Sequence, residues 1–221
     1  MRSRMTAMIL AAGRGERLRP LTDHTPKPLI EVGSKSIIEH HLAKLSRLGF
    51  SDVVINIDHL GKQFLDYLGD GSKWGVEICY SDERQSGGLE SLGGIVNALG
   101  LIKSETFLVV NGDVMSNYEF DLTLDLQSLA HLILVPNPPH NPNGDFGIDN
   151  GLATNERSYT FSGIGYYHRS MFENKSAQKA PLAPLLREQI DLGNITASLY
   201  NGEWIDVGTQ GRLKEACAIF G

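Results

Sequence analysis

The first half of the chain alternates short apolar runs with segments whose apolar residues recur at helical spacing. The apolar runs cover residues 7–10, 53–57, 76–80 and 107–110. Short, continuously apolar runs of this kind are typical of strands that are buried on both faces. Helices are predicted between them over residues 37–48, 60–68 and 93–99. This order of elements predicts an α/β fold with a mostly parallel sheet and helices on both faces.

The second half of the chain is less regular. Strands are predicted over residues 131–135, 146–148, 160–167 and 197–200, and helices over 182–192 and 209–220. A loop with four prolines follows the first of these strands. Because no internal repeat or low-complexity linker separates the two halves, we expect a single domain over residues 1–221.

Composition and charge argue against several classes of protein. Hydrophobic residues make up 41% and charged residues 21% of the 221 residues, as in ordinary soluble globular proteins. The net charge of −6 argues against nucleic acid or an anionic membrane as the main partner. No apolar run approaches the roughly 20 residues of a membrane span. Cys79 and Cys217 lie far apart without metal-binding spacing, so neither a zinc site nor a disulfide scaffold is expected.

The start of the chain has some features of a signal peptide, because Arg2 and Arg4 precede an apolar run over residues 5–12. This run is at the lower limit of length for a signal peptide, and charged residues follow it at once from Arg14 onwards. A buried first strand explains the run better. We therefore expect a cytoplasmic protein.

A glycine-rich turn follows the first strand, with the sequence Gly13-Arg-Gly15-Glu-Arg17. Glycines in this position let backbone N–H groups approach phosphate oxygens without a Cβ in the way. Two other phosphate-binding motifs do not fit. A Walker A loop would end in Gly-Lys-Ser/Thr, and a dinucleotide fingerprint would have a third glycine where Leu18 stands. Taken alone, the motif is equally compatible with an ordinary tight turn.

Four cationic residues lie within fourteen positions of this turn, although the protein is acidic: Arg14, Arg17, Arg19 and Lys27. Lys27 stands between Pro26 and Pro28, which bias Thr25 and Lys27 toward extended geometry. A stiff segment of this kind would aim the lysine at a fixed point, and nucleotidyl transfer gains from pre-positioned cations around the phosphorus. The alternative is a solvated basic loop.

Two aspartates are candidate magnesium ligands. Asp113 follows the fourth strand directly, at the edge of the sheet where α/β proteins place their ligands. Asp206 lies in a second short apolar segment, just before Gly208 and Thr209. Magnesium is usually held by one or two carboxylates together with substrate phosphates and water. A turn at Asp113 and a helix entry capped by Thr209 are the structural alternatives.

Residues 10–22 (LAAGRGERLRPLT) and 25–29 (TPKPL) together resemble the signature of the sugar nucleotidylyltransferases. The resemblance extends over nearly the whole chain and is closest to the branch that makes UDP-N-acetylmuramate in cell-wall recycling. It implies a Rossmann-like, GT-A-like fold whose mixed, mostly parallel sheet is flanked by helices. It also implies two small-molecule substrates, a nucleoside triphosphate and a sugar 1-phosphate, with Mg²⁺ as cofactor. We expect a monomer or a small homo-oligomer.

The resemblance also implies roles for individual residues. Nucleotide binding falls to Ala11, Ala12, Gly13, Arg14, Gly15, Glu90, Gly93 and Asn111. Catalysis falls to Arg17, which would hold the leaving phosphates, and to Lys27, which would bridge the reacting phosphates. The metal ligands are Asp113 and Asp206, and the sugar is assigned to Asp145, Ser162 and Gly163. The nucleotide-binding part would cover about residues 1–115, and the sugar-binding part about 116–221.

Two departures from the family pattern leave the substrates open. Leu92 replaces a small residue in the second nucleotide loop, residues 87–94, and the Glu-Lys-Pro element of many hexose-1-phosphate enzymes is not evident. The alternatives within the family are a glucose-1-phosphate thymidylyltransferase and a mannose-1-phosphate guanylyltransferase. A nucleotide-sugar-binding regulatory subunit without turnover is the alternative from another class of protein.

Overall fold

A computed structural model describes residues 5–221, so Arg2 and Arg4 lie outside the described part of the chain. Its strands are β1 (Thr6–Leu10), β2 (Glu31–Val32), β3 (Lys35–Ser36), β4 (Asp52–Ile57), β5 (Glu77–Asp82), β6 (Thr106–Asn111), β7 (Val114–Ser116), β8 (Ala130–Val135), β9 (Phe146–Asp149), β10 (Leu152–His168), β11 (Ile195–Leu199) and β12 (Trp204–Asp206). Its α-helices are α1 (Ile37–Arg47), α2 (Gly61–Leu68), α3 (Glu90–Ala98), α4 (Ala183–Asp191) and α5 (Gln210–Phe220).

The first helix forms where the sequence supplies both a start signal and an apolar face. Ser36 and Glu39 make a reciprocal capping box, in which the Ser36 N–H donates to Glu39 Oε2 at 2.8 Å. Ile38, Leu42 and Leu45 then bury the same side of α1 against the sheet. The prediction of a helix after Ser36 is confirmed.

The central sheet has eight strands in the order β11-β8-β10-β6-β1-β4-β5, and β9 pairs with β10. Strands β6, β1, β4 and β5 are parallel, whereas β10 runs antiparallel to both β6 and β8. The expected mixed, mostly parallel sheet with flanking helices is confirmed. Leu10 pairs with Asn56 on one side and with Asn111 on the other. The carboxyl ends of three neighbouring strands therefore meet at one edge.

Helices cover the sheet on both faces, each over its own apolar cluster. Leu42 and Phe64 pack with Ile55 on one face, and Ile95 and Leu186 belong to the cluster on the other. A third, smaller cluster lies below the last helix: Leu18, Ile30, Val32, Ile37, Met115, Ile205, Val207 and Ala216. Burial of this apolar surface is the main stabilising contribution to the fold. The small cluster also ties α5 to the turn that follows the first strand.

Two predictions about local structure were wrong. The segment around Lys27 is not extended, because Lys27–Leu29 forms a 3₁₀ turn closed by hydrogen bonds from Leu29 N to Pro26 O (2.8 Å) and from Ile30 N to Lys27 O (3.1 Å). Pro28 is compatible with such a turn because the first residues of a helix have no internal partner for their N–H groups. Strand β10 begins at Leu152 rather than near residue 160, since its polar first half pairs with β9.

Within residues 5–221, no helix is long and apolar enough to cross a membrane. Both cysteines are free thiols, Cys79 partly buried and Cys217 exposed.

Candidate active site

Two adjoining cavities open at the carboxyl edge of the parallel strands. The larger has a volume of about 570 Å³, and the smaller about 220 Å³. Asn111 and Asp113, at and just beyond the end of β6, line both of them. A group held in one cavity would therefore meet a group held in the other at these two residues.

The glycine-rich turn forms one wall of the larger cavity through Ala11, Ala12, Gly13, Arg14, Gly15, Glu16 and Arg17. Gly15 has a φ of +63°, and a Cβ there would lie 2.9 Å from Thr22 Cγ2, so only glycine fits without strain. Thr22 Oγ1 donates a hydrogen bond to the Gly15 carbonyl at 2.9 Å. Among residues 5–221, no atom beyond its two chain neighbours lies within 4 Å of the Cβ position at Gly13. The backbone there is accessible to a ligand in the cavity.

A buried carboxylate connects this turn to the second loop. The Ala11 N–H donates to Asn56 Oδ1 at 2.7 Å, and Asn56 Nδ2 donates to Glu83 Oε1 at 2.7 Å. The other oxygen of Glu83 accepts from the Leu89 N–H at 2.8 Å. Glu83 is fully buried, and this burial raises its pKa. Glu83 therefore holds the Leu89 backbone directly and the Ala11 backbone through Asn56, on the two sides of the larger cavity.

The second loop contributes Gly87, Gly88, Leu89, Glu90 and Ser91 to the lining. Glu90 has a φ of +59°, which is uncommon for a residue with a Cβ and recurs at functional sites. Gly93 lies outside this lining, contrary to its expected role. A Cβ there would overlap the carbonyl oxygen of Gln178, so close packing of residues 178–180 against α3 explains this glycine.

Cationic side chains are concentrated at the turn end of the larger cavity. Arg14 and Arg17 are exposed and line it, whereas Arg19 pairs with Asp23 at 3.2 Å and does not. The Lys27 side chain is only 11% exposed, and its ammonium forms an ion pair with Asp113 Oδ2. Burial makes such a charge-assisted hydrogen bond stronger than it would be in water.

The two aspartates lie beside each other because β7 and β12 are paired. Val114 is opposite Asp206 in this pair, and the Val207 N–H donates to the Asp113 carbonyl at 2.8 Å. Burial raises the pKa of Asp206 and the nearby charge of Asp113 adds to the rise, while the Arg212 guanidinium opposite Asp206 lowers it.

Arg212 Nη1 lies 3.1 Å from Asp206 Oδ1, and Nε2 of the His140 ring lies 2.9 Å from the same oxygen. Neither contact has the geometry of a hydrogen bond, so the buried Oδ1 has no hydrogen-bond donor among residues 5–221. A buried oxygen without a hydrogen-bond donor, next to a second carboxylate, suits a magnesium ion whose other ligands are phosphate and water oxygens.

Asp145, Ser162 and Gly163, which the resemblance assigns to the sugar, all line the smaller cavity. Two of their side-chain oxygens are already engaged: Asp145 Oδ2 accepts from the Phe161 N–H at 2.9 Å, and Ser162 Oγ donates to the Ile133 carbonyl at 2.6 Å. These residues therefore shape the wall of the cavity.

Gly163 is fixed by its neighbour across the sheet. It has a φ of +77°, and a Cβ there would lie 2.6 Å from Asn111 Nδ2. Trp204 also lines the smaller cavity, where its Nε1 donates to the Ser162 carbonyl at 2.9 Å.

Several residues of the site were missed in the sequence: Asn56, Asp58, Glu83, His140, Asn141, Lys179 and Arg212. Asn56 carried a signal, because it is a polar residue in an otherwise apolar strand, near its carboxyl end. Lys179 and Arg212 had none, because a lone cation in a loop or on a helix is usually solvated.

The sequence profile described as nucleotidyl transferase matches residues 6–219. An N-acetylmuramate alpha-1-phosphate uridylyltransferase from Neisseria meningitidis is 48% identical over 229 aligned residues, which cover 98% of this chain and 99% of the relative. The chain belongs to the nucleotidyl transferase family. The match to this nucleotidyl transferase profile includes both cavities and both aspartates.

Other nucleotidyl transferases are similar over smaller regions or in fold alone. A UTP–glucose-1-phosphate uridylyltransferase from Synechocystis is 36% identical over 54% of this chain and 32% of the relative. The solved structure of a proposed glucose-1-phosphate thymidylyltransferase from Bacillus anthracis superposes with a TM-score of 0.85 at 24% identity, covering 97% of this chain and 94% of the other. This structural likeness shows that the two chains share a fold.

Proposed function

We propose that this nucleotidyl transferase joins UTP to N-acetylmuramate 1-phosphate and releases pyrophosphate. The observation that carries the proposal is the place of Asp113, which lines both cavities and pairs with Lys27. Substrates seated in the two cavities would bring their phosphates together at this carboxylate and this ammonium.

The larger cavity suits the nucleotide. Its volume of about 570 Å³ is within the usual range for a small-molecule site. The open backbone at Gly13 and the cations Arg14 and Arg17 offer donors to the triphosphate, while the second loop around Glu90 would face the base. The smaller cavity, beyond Asp113, would then hold the sugar.

The reaction follows from this arrangement. A phosphate oxygen of the sugar 1-phosphate attacks the α-phosphorus of UTP in line, a new P–O bond forms, and the bond from the α-phosphorus to the bridging oxygen breaks. The electron pair leaves with pyrophosphate. The nucleophile is already an anion, so no general base is needed. Lys27 at the reacting phosphates and Arg17 at the leaving group would offset the charge that builds up.

We assign Asp113 and Asp206 to a magnesium ion. The orphaned Oδ1 of Asp206 and the neighbouring carboxylate of Asp113 supply oxygen ligands of the kind magnesium prefers. The ion, when bound, would neutralise phosphate charge and polarise the α-phosphate. Lys27 would hold Asp113 in place, and Arg212 would oppose the charge of Asp206.

The choice of sugar and base is supported by the Neisseria relative, whose name specifies uridylyl transfer to N-acetylmuramate 1-phosphate and which aligns along almost its whole length. A role in cell-wall recycling and a cytoplasmic location follow from such substrates. The Synechocystis relative, which is named for a glucose substrate, aligns in sequence over 54% of this chain.

The test is a panel of UTP, dTTP, GTP and CTP against the 1-phosphates of N-acetylmuramate, glucose and mannose, with pyrophosphate release as the readout. We expect kcat/KM to be at least about 10-fold higher for UTP with N-acetylmuramate 1-phosphate than for any other pair. An equal or higher value for dTTP with glucose 1-phosphate would overturn the substrate assignment. Triphosphate binding without pyrophosphate release from any pair would favour a regulatory subunit.

A further inference from the structure

Arg212 is a buried cation next to the proposed magnesium ligands, and none of its charged atoms reaches a substrate cavity. It lies in the first turn of α5, where its own N–H donates to the capping oxygen of Thr209 at 3.3 Å. Its side chain is 11% exposed and lines neither cavity. Direct contact with substrate is therefore not its function in this arrangement.

The guanidinium of Arg212 keeps unused hydrogen-bonding capacity. Its Nε, Nη1 and Nη2 atoms are all inaccessible, and none has a hydrogen-bond acceptor among residues 5–221. The nearest opposite charge is Asp206 Oδ1 at 3.1 Å. A buried guanidinium in this condition is costly to the folded state. Retaining it here indicates a role in the site rather than in stability.

Gly208 lies between Arg212 and Arg17. A Cβ at Gly208 would overlap Arg212 Nη2 and would lie 3.2 Å from Arg17 Nη2. Two guanidinium groups thus approach the same point beside the Gly208 backbone, a buried one from Arg212 and one from Arg17, an exposed residue that lines the larger cavity. Only a residue without a Cβ lets both approach so closely.

The packing of α5 holds Arg212 at this position. Ala216, one turn further along the helix, is fully buried in the cluster that contains Leu18 and Ile205. Leu18 directly follows Arg17, and Ile205 directly precedes Asp206. The helix is therefore packed against both segments whose charged side chains face Arg212.

We propose that Arg212 is a positioning residue that holds the Asp206 carboxylate for magnesium and, through Gly208, sets the place of Arg17. The inference rests on the proposed metal-dependent transfer. Residues that orient a metal ligand in this way typically change metal affinity or activity about 10- to 100-fold when they are removed.

The first test is Arg212→Ala, with steady-state turnover titrated against Mg²⁺. We expect the half-saturating Mg²⁺ concentration to rise by about 10-fold or more, and Arg212→Lys to recover part of this loss because it restores the charge. Lys214→Ala removes an exposed cation from the same helix and is the matched control. Unchanged Mg²⁺ dependence in Arg212→Ala would overturn the proposal.

Binding without turnover separates this inference from the proposed function. Calorimetry of Mn²⁺ with a non-hydrolysable UTP analogue, in the absence of sugar phosphate, should show weaker metal binding by Arg212→Ala than by wild type. Wild-type turnover decides the proposed function, whereas this binding difference decides the role of Arg212. Equal metal binding by wild type and by Arg212→Ala, measured on proteins that unfold at the same temperature, would contradict the proposed role of Arg212.

A double-mutant cycle tests the connection through Gly208. Gly208→Ala should displace the Arg212 guanidinium and reproduce the effect of Arg212→Ala. The half-saturating Mg²⁺ concentration of the double variant should then be little higher than that of either single variant, because both changes remove the same contact between Arg212 and Asp206. If the two effects on the half-saturating Mg²⁺ concentration multiply, the two residues act independently and the proposed connection is wrong.

Discussion

The ammonium of Lys27 forms an ion pair with Oδ2 of Asp113, a residue 86 positions further along the chain. This pair sits where the two cavities adjoin, on the 3₁₀ turn at Lys27–Leu29 and at the end of the fourth parallel strand. It places one cation and one anion at the point where the phosphates of the two substrates would meet.

Replacement of Lys27 by alanine should lower kcat by about 100-fold or more, the usual cost of losing a charged group that stabilises the transition state. Affinity for the sugar 1-phosphate should change much less. Steady-state kinetics with Lys62→Ala as the control, an exposed lysine on α2, checks this. Near-normal turnover in Lys27→Ala would refute the assigned role.

Glu83→Gln should raise the KM for UTP by about 5-fold with a smaller change in kcat. Glutamine retains only one acceptor, so one of the bonds from Asn56 Nδ2 and the Leu89 N–H is lost, at about 1 kcal/mol. Kinetics at varied UTP, with exposed Glu105→Gln as the control, measures the effect. If the KM stays at the wild-type value, the carboxylate does not position the two nucleotide loops.

Gly163→Ala should raise the KM for the sugar 1-phosphate by about 10-fold, because the added methyl displaces the Asn111 amide that lines both cavities. Gly193→Ala is a matched control. Gly193 has a similar positive φ of +72°, but within the described part of the chain no atom beyond its two neighbours lies within 4 Å of its Cβ position. Both variants should lose about 1 kcal/mol of stability from backbone strain. Equal KM values in the two variants would show that Asn111 is not involved.

His41 should make stability depend on pH. It is fully buried on α1, and its burial, with the charges of Lys44 and His40, lowers its pKa to about 3. Between pH 3 and 6.5 the His41 side chain is protonated in the unfolded chain but neutral in the folded protein. Its contribution to the free energy of unfolding is therefore fully present above pH 6.5 and is lost as the pH falls through this window.

The size of this effect can be measured against His41→Gln, which does not titrate. Over the window, wild type should lose up to about 1 kcal/mol more per pH unit than the variant. The measurement is denaturant unfolding of both proteins at pH 4 to 7. Parallel pH profiles would mean that the pKa of His41 is the same in the folded protein as in the unfolded chain.

The sheet and the catalytic edge were predictable because they depend on local signals. Continuous apolar runs identified β1, β4, β5 and β6, and ligand residues in α/β folds follow the carboxyl ends of such strands. Asp113 and the glycine-rich turn were found for this reason. The juxtaposition of Asp206 with Asp113 was expected from the family resemblance, and the pairing of β7 with β12 supplies its physical basis.

The rest of the site could not be predicted, because it depends on contacts between residues that are distant in the sequence and leave no periodic pattern. From its sequence context, Glu83 would be expected at the surface next to a turn. It is buried because Asn56 Nδ2 and the Leu89 N–H donate hydrogen bonds to its two oxygens. Arg212 reads as a solvated residue on a weakly amphipathic helix, and only the approach of Asp206 shows otherwise. The turn at Lys27 was missed because proline was taken to favour extended backbone before it.

The most direct test of the central claim is the stoichiometry and metal dependence of product formation from UTP and N-acetylmuramate 1-phosphate. Wild type should form one UDP-N-acetylmuramate for each pyrophosphate, only when Mg²⁺ is present, and Asp113→Asn should do so at least about 100-fold more slowly. Product formation at the wild-type rate by Asp113→Asn, or by wild type in a metal chelator, would contradict the account.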